Sequence, residues 1–199
     1  MRQGGGILVR PSPIVEADAR RDMIDASKYS AFETLRDGRI VEIRAIRRED
    51  RAALAAAVER ASPQSLYRRF FSVRRYFSDR ETDFFINVDF INHVALVAAV
   101  NEEGTREAII GGARYVLFQP GKAEIAFAVI DEYQGQGIGS ALMRHLIAIA
   151  GAAGLDELVA VVLPENRAML KLLEKCGYRT NTKRESDAVH VTLELNSAA

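Results

Sequence analysis

Residues 124–143 read Glu124-Ile-Ala-Phe-Ala-Val-Ile-Asp-Glu-Tyr-Gln-Gly-Gln-Gly-Ile-Gly-Ser-Ala-Leu-Met143. An alternating, β-rich run passes into a turn with glycine at 135, 137 and 139, and the turn passes directly into an apolar helical run. Glycines at alternate positions let the backbone come close to a ligand. The helix N-terminus behind them presents unpaired N–H groups, a ready site for phosphate or pyrophosphate. A P-loop is excluded, because Gly139 is followed by Ser140-Ala141 and no lysine. The dinucleotide fingerprint is excluded as well: the spacing is G-x-G-x-G, and it follows the fourth strand of the pattern. Strand parity puts Ile125, Phe127 and Val129 on one bulky face and Glu124, Ala126, Ala128 and Ile130 on the other. That second face sets a carboxylate beside two alanines, a groove with room for a thin ligand. Glu124 is there either a general base, if partial burial raises its pKa, or a solvated strand glutamate.

Working outward, the pattern is mixed α/β. Upstream, the turn Arg36-Asp37-Gly38 leads into an alternating strand at 40–46, followed by an alanine-rich helix at 52–58. Ser62-Pro63 reads as a cap and first helical position for 64–71, and Ser78 with Glu81 forms a capping box for 79–87. Strands follow at 93–100, 108–118 and 123–130. Downstream come a helix at 137–150, a buried-type strand at 158–163, a helix at 165–176 stopped by Gly177, and a closing hairpin at 178–183 and 188–195. This order implies a mixed α/β sheet with helices on both faces. Residues 1–34, opening with Gly4, Gly5, Gly6, Pro11 and Pro13, are expected to be a loose arm, with the folded domain at 35–199.

Composition removes several classes of function. Lys plus Arg and Asp plus Glu each number 27, so wholesale electrostatic binding to nucleic acid or anionic lipid is not expected. No apolar run approaches the ~18–20 residues of a membrane span, and the start has too short an apolar stretch for a signal peptide. Cys176 is the sole cysteine, which excludes an intrachain disulfide and a cysteine-cluster zinc site and suits a reducing cytoplasm. His93, His145 and His190 show no metal-ligand spacing, so no metal is expected. Cys176 reads as a small buried hydrophobe, and Tyr67, Phe70 and Phe71 as helix-packing residues.

The segment Gln134-Gly-Gln-Gly-Ile-Gly139 resembles the Q/R-x-x-G-x-G/A pyrophosphate loop of the GNAT superfamily of acyl-CoA-dependent N-acetyltransferases, and Val129–Tyr133 before it is typical of that family. Residues 166–178, Asn-Arg-Ala-Met-Leu-Lys-Leu-Leu-Glu-Lys-Cys-Gly-Tyr, are similar to a second family block. The likeness covers about residues 36–195. Residues 35–50 and 62–71 look like the acetyltransferase domain of bacterial protein-lysine acetyltransferases, many of which carry a further acyl-CoA-synthetase-like or cyclic-nucleotide domain. The arm before Leu35 is too short to be one.

The resemblance implies a GNAT fold: a mixed, mostly antiparallel sheet splayed at the fourth strand. It implies acetyl-CoA as the acyl donor and direct attack by a primary amine. Backbone groups of Ala128, Val129 and Ile130 would pair with the pantetheine arm, and the N–H groups of Gln134, Gly135, Gln136, Gly137, Ile138, Gly139 and Ser140 would hold the pyrophosphate. Asn166 would contact the coenzyme, and Glu124 matches the family's strand glutamate that acts as general base. The tyrosine that many members use to protonate the departing thiolate is here Leu173; solvent, the substrate ammonium or another tyrosine such as Tyr133 would then serve. The expected acceptor is a protein lysine, for instance on an acyl-CoA synthetase, with a small amine or a non-catalytic acyl-CoA sensor as alternatives. Arg60, Arg68, Arg69, Arg74, Arg75 and Arg80 against Asp79 form a basic stretch, either facing an acidic acceptor surface or pairing with glutamates elsewhere.

Overall fold

The glycine turn sits where a single sheet divides. The structure, a computed structural model, describes residues 24–72, 76–101 and 107–198. Its strands are β1 (Ser30–Thr34), β2 (Ile40–Ala45), β3 (His93–Asn101), β4 (Glu107–Gln119), β5 (Lys122–Val129), β6 (Glu157–Val162), β7 (Tyr178–Arg184) and β8 (Val189–Ala198). They lie in the order β1-β2-β3-β4-β5-β6-β8-β7. Every neighbouring pair is antiparallel except β5 and β6, whose parallel pairing requires the helical crossover between them. That parallel contact is short. Lys122, Ala123 and Glu124 register with Glu157, Leu158 and Val159, and beyond Glu124 the two strands diverge.

Five α-helices cover the sheet among the described residues: α1 (Arg51–Arg60), α2 (Pro63–Phe70), α3 (Asp79–Ile86), α4 (Ile138–Ala152) and α5 (Arg167–Glu174). The caps form as their sequences dictate. Ser62 accepts from the Ser65 N–H, Pro63 opens α2, and Ser78 with Glu81 closes a reciprocal capping box on α3. Alternate residues of β4 serve opposite layers. Gly111 faces α4, where an added Cβ would lie 3.4 Å from Ile138 Cγ2, while Arg114 turns to the other face and meets Phe84 and Phe85 of α3. The core lies between, with Leu142, Leu146, Leu158, Leu173 and Leu193 all fully buried.

Two features depart from the sequence reading. The sheet starts before Leu35, because Ser30–Thr34 is a strand paired with β2 from Ser30↔Arg44 to Thr34↔Ile40; the splayed strand is therefore the fifth. Tyr29, Glu33 and His145 fasten this edge to α4. Tyr29 Oη lies 2.5 Å from His145 Nδ1, and His145 Nε2 lies 2.7 Å from Glu33 Oε1. A carboxylate only accepts, so Nε2 carries a hydrogen toward Glu33, and Nδ1 shares a hydrogen bond with the tyrosine hydroxyl. Residues 1–23 of the expected arm lie outside the described residues. The second departure is Arg44, an arginine in the middle of a strand and only 1% exposed. It forks onto both carboxylate oxygens of buried Asp50 at 2.8 Å each, and its Nε donates to Glu107 at 2.8 Å. Burial opposes the charge, but the hydrogen bonds Arg44 donates to Asp50 and Glu107 outweigh it and push the guanidinium pKa up.

Candidate functional site

A cleft of about 1210 Å³ opens where β5 and β6 part. One end is the glycine turn. Gly135 has φ +74° and Gly137 φ +99°, and a Cβ at either would have no neighbour within 4 Å. The backbone is held in a shape that suits glycine, yet no protein atom fills the space in front of it. Gly137 caps α4 without any side-chain hydrogen bond, so the N–H groups of the first turn keep no capping partner. Such a bare, open helix start suits a pyrophosphate. Ile138 is buried and offers only its backbone, whereas Ser140 is exposed at the mouth.

Side chains around the turn fix its shape. Gln134 Nε2 donates to Val129 O at 2.9 Å and to Ser65 Oγ at 3.1 Å. Gln136 donates to Glu132 O at 2.9 Å and accepts from Arg39 at 2.8 Å, so its side chain braces the turn from outside the cleft lining. Asp131 accepts from Ser62 N and Ser62 Oγ at 2.8 Å each and from Ser65 Oγ at 3.0 Å. Burial works against its charge, but these bonds from α2 hold the carboxyl below the usual range. The turn and α2 are thus one unit.

The splayed strand supplies the middle of the cleft. Ile130 is buried and its N–H donates to Ile110 O at 3.0 Å, so this group, expected to meet the pantetheine arm, is already committed to β4. Antiparallel alternation puts Ala128, opposite Gly112, in the same phase as Ile130. The backbone groups turned to the gap are those of Val129 and Phe127, and the sequence reading missed Phe127 because parity alone does not say which neighbour a strand residue pairs with. Ala128 lines the cleft with its small side chain instead. Across the gap, Asn166 caps α5 through Met169 N–H at 3.2 Å, leaving its amide N–H groups as what it can offer.

Glu124 stands at the far end on the outward parity of β5, exposed, and among the described residues is the sole carboxylate lining the cleft. Glu132, beside Asp131 at the start of the turn, is instead paired with Arg60 at 3.0 Å. Leu173 is 0% exposed and points into the core, so α5 brings no proton donor at that position. Tyr133 is buried beneath the guanidinium groups of Arg39 and Arg60. Cys176 is half-buried on the cleft wall with its thiol directed at Leu173 O, 2.9 Å away.

The basic stretch divides. Arg60 is paired, Arg80 is exposed, and Arg74 and Arg75 lie outside the described residues. Arg68 and Arg69 enter the cleft wall near Glu124. Phe70 and Phe71 line the cleft too, Phe70 packing edge-on against Phe77 at 4.8 Å. The helix-packing role expected for Phe70 is therefore accompanied by a place in the site.

A family model described as the acetyltransferase (GNAT) family matches residues 60–178, more than half of the chain. The chain belongs to the GNAT acetyltransferases. An acetyltransferase of Pseudomonas aeruginosa is 35% identical over 164 residues, covering 77% of this chain and 88% of that protein. Acetyltransferase Pat of Mycolicibacterium smegmatis is 39% identical over 118 residues, 58% of this chain but 34% of its own length, so the GNAT chain described here spans about a third of that relative. Among solved structures, the GNAT domain of S. lividans PAT superposes with a TM-score of 0.75 at 32% identity, over 83% of this chain and 96% of that one. Acetyl-CoA is the family's acyl donor, and the open glycine cradle, bare helix start and diverging strands fit its pyrophosphate and pantetheine. No helix among the described residues is long and apolar enough to cross a membrane.

Proposed function

We propose that this GNAT enzyme transfers an acetyl group from acetyl-CoA to the side-chain amine of a protein lysine, with Glu124 as general base. One observation carries the reading: a single carboxylate lines the cleft, at the opposite end from the glycine cradle, where an amine meeting an acetyl thioester would arrive. A free lysine has a pKa near ~10.4 and is protonated at neutral pH, so it must lose a proton before it can attack. Glu124 takes that proton, directly or through one water. The nitrogen bonds to the thioester carbon, a backbone N–H of β5 turned to the gap stabilises the oxyanion, and the C–S bond breaks. With Leu173 buried, the departing thiolate takes its proton from solvent in the open cleft or from Tyr133 on its wall.

The backbone N–H groups of Gln134–Ser140 and the amide of Asn166 hold the coenzyme in this reading, with Val129 and Phe127 along the arm. The lysine acceptor is supported by the likeness to Pat of M. smegmatis and to the S. lividans PAT domain. A single free thiol and an acyl-CoA donor support a cytoplasmic setting for the reaction. The test is acetyl transfer to protein lysines measured beside polyamines, amino acids and aminoglycosides, in wild type and Glu124→Gln. Turnover on proteins should fall by roughly 10²–10⁴-fold in the variant while coenzyme affinity holds. A fall of less than about threefold removes Glu124 as the base. Turnover on small amines alone removes the protein acceptor.

A further inference from the structure

The acceptor end of the cleft is built around positive charge that, among the described residues lining it, Glu124 alone opposes, and none of it is held in an ion pair. Arg68 and Arg69 of α2 and Arg114 of β4 line it, against Glu124 alone. Among the described residues no carboxylate lies within ion-pair distance of any of the three. Arg68 Nε is buried with no hydrogen-bond partner. Arg69 lies over the Phe70 ring at 4.7 Å, and Arg114 lies 4.5 Å from the centre of Phe85. These rings hold the guanidinium planes while contributing little to neutralising them.

Arg114 is positioned with particular care. Its Nη1 lies 3.0 Å from His93 Nε2, and an arginine cannot accept, so that nitrogen is the bare one of a neutral imidazole. Burial and the neighbouring Arg114 charge lower the His93 pKa to about 4, so the ring stays neutral. Burial, and then the repulsion of Arg69, lower Arg114 to about 9, while burial lowers Arg69 to about 10 against the opposing pull of Glu124. Two cations that oppose each other in a half-buried cleft are unfavourable unless an anion joins them.

Register fixes where that anion would sit. Arg114 is opposite Ala126, on the same sheet face as Glu124, so the two are diagonal neighbours with Cα atoms about 7–8 Å apart. An acceptor amine at Glu124 therefore lies on the sheet face that also carries Arg114.

We propose that Arg69 and Arg114 bind a carboxylate carried by the acceptor next to its reacting amine, so that the enzyme selects acidic-flanked amines. This rests on the acetyl-transfer reading above and adds the chemical class of its substrate. The carboxylate is either an acidic side chain beside a lysine or the α-carboxylate of a free amino acid. The experiment compares kcat/KM for paired peptides with Glu or Gln next to one lysine, and for free amino acids against their amides, in wild type, Arg114→Gln and Arg69→Gln. Acetyl-CoA affinity is measured on each.

Wild type should prefer the carboxylate member of at least one pair by about tenfold or more, the discrimination of one charge-assisted contact. Either glutamine variant should bring that ratio near one, and Arg114→Lys should restore part of it. If a variant does not fold, the wild-type ratios decide. Equal use of acidic and neutral acceptors overturns the selectivity and leaves acetyl transfer standing. Failure to acetylate any amine, with the coenzyme bound, overturns both. A preference that survives both glutamine variants also overturns the assignment to these residues.

Discussion

Replacing Gly137 with alanine separates what the turn does for the fold from what it does for the ligand. The residue sits at φ +99°, and a Cβ there would find no protein atom within 4 Å. No clash enters the folded state, and conformational strain of about 1–3 kcal/mol is the whole cost. For a chain of this size that corresponds to a Tm lower by roughly 2–4 °C per kcal/mol. The methyl group instead occupies the space before the bare N–H groups of α4. Loss of one or two hydrogen bonds to a charged phosphate, each worth about 1.5–3 kcal/mol, should weaken acetyl-CoA binding by about tenfold or more. Valine, branched at Cβ, should abolish it. Gly139→Ala is the internal control: its Cβ meets Leu172 Cδ2 at an ordinary 3.5 Å inside the helix, and stability should hold or rise by about 0.5–1 kcal/mol. Thermal unfolding with titration calorimetry reads both quantities. A folded Gly137→Ala protein with wild-type acetyl-CoA affinity refutes the cradle.

Asp50→Ala should destabilise the fold by about 3–5 kcal/mol in urea unfolding, because it strips the bidentate partner from a buried guanidinium; a loss below about 1 kcal/mol would show that Glu107 suffices. Leu173→Ala should cost about 2–5 kcal/mol by leaving a cavity under α5, and acetyl-transfer rates in the folded fraction should not follow that loss. His93 titrates lower folded than unfolded, so the unfolded chain binds the extra proton. Its contribution to stability is complete above pH ~6.5 and is lost as pH falls toward about 4. Urea midpoints between these values should slope downward on acidification in wild type and flatten in His93→Gln. Asp89, held near 2 by the N–H groups of Ile91, Asn92 and His93 despite the opposing effect of burial, adds a second decline below pH ~3.8.

The parts of this molecule legible in its sequence are those written locally. Ser78 and Glu81 announce a helix start three residues apart, and the alternation of 123–130 assigns Glu124 its exposed face. The glycines at 135 and 137 announce a backbone that few other residues adopt. Ser30–Thr34 was not legible as a strand, because an edge strand with one half-buried face carries two weak apolar signals, Ala31 and Phe32, on opposite sides. The turn at Arg36-Asp37-Gly38 was read as leading into one strand when it joins two. Arg44 and Arg114 each interrupt an apolar run, which is a signal in itself. What they meet, Asp50 and Glu107 in one case and His93 and Phe85 in the other, is decided by pairings across the sheet that no local pattern contains. The phase of the strand hydrogen bonds, which exchanges Ile130 for Phe127 at the gap, is likewise a property of register.

Asp131 and Gln134 join the start of α2 to the glycine turn through the hydroxyls of Ser62 and Ser65. Arg68 and Arg69 ride on that same helix, one to two turns further along. Any tightening of the turn around a bound pyrophosphate is therefore felt by the helix that walls the acceptor, and the work of ordering this shared unit is done by whichever molecule arrives first. Thermodynamic reciprocity then ties the two substrates together: the factor by which coenzyme sharpens the affinity for the amine must equal the factor by which the amine sharpens the affinity for coenzyme. Removing both hydroxyls, at Ser62 and Ser65, would loosen the tie through which the two half-sites inform each other.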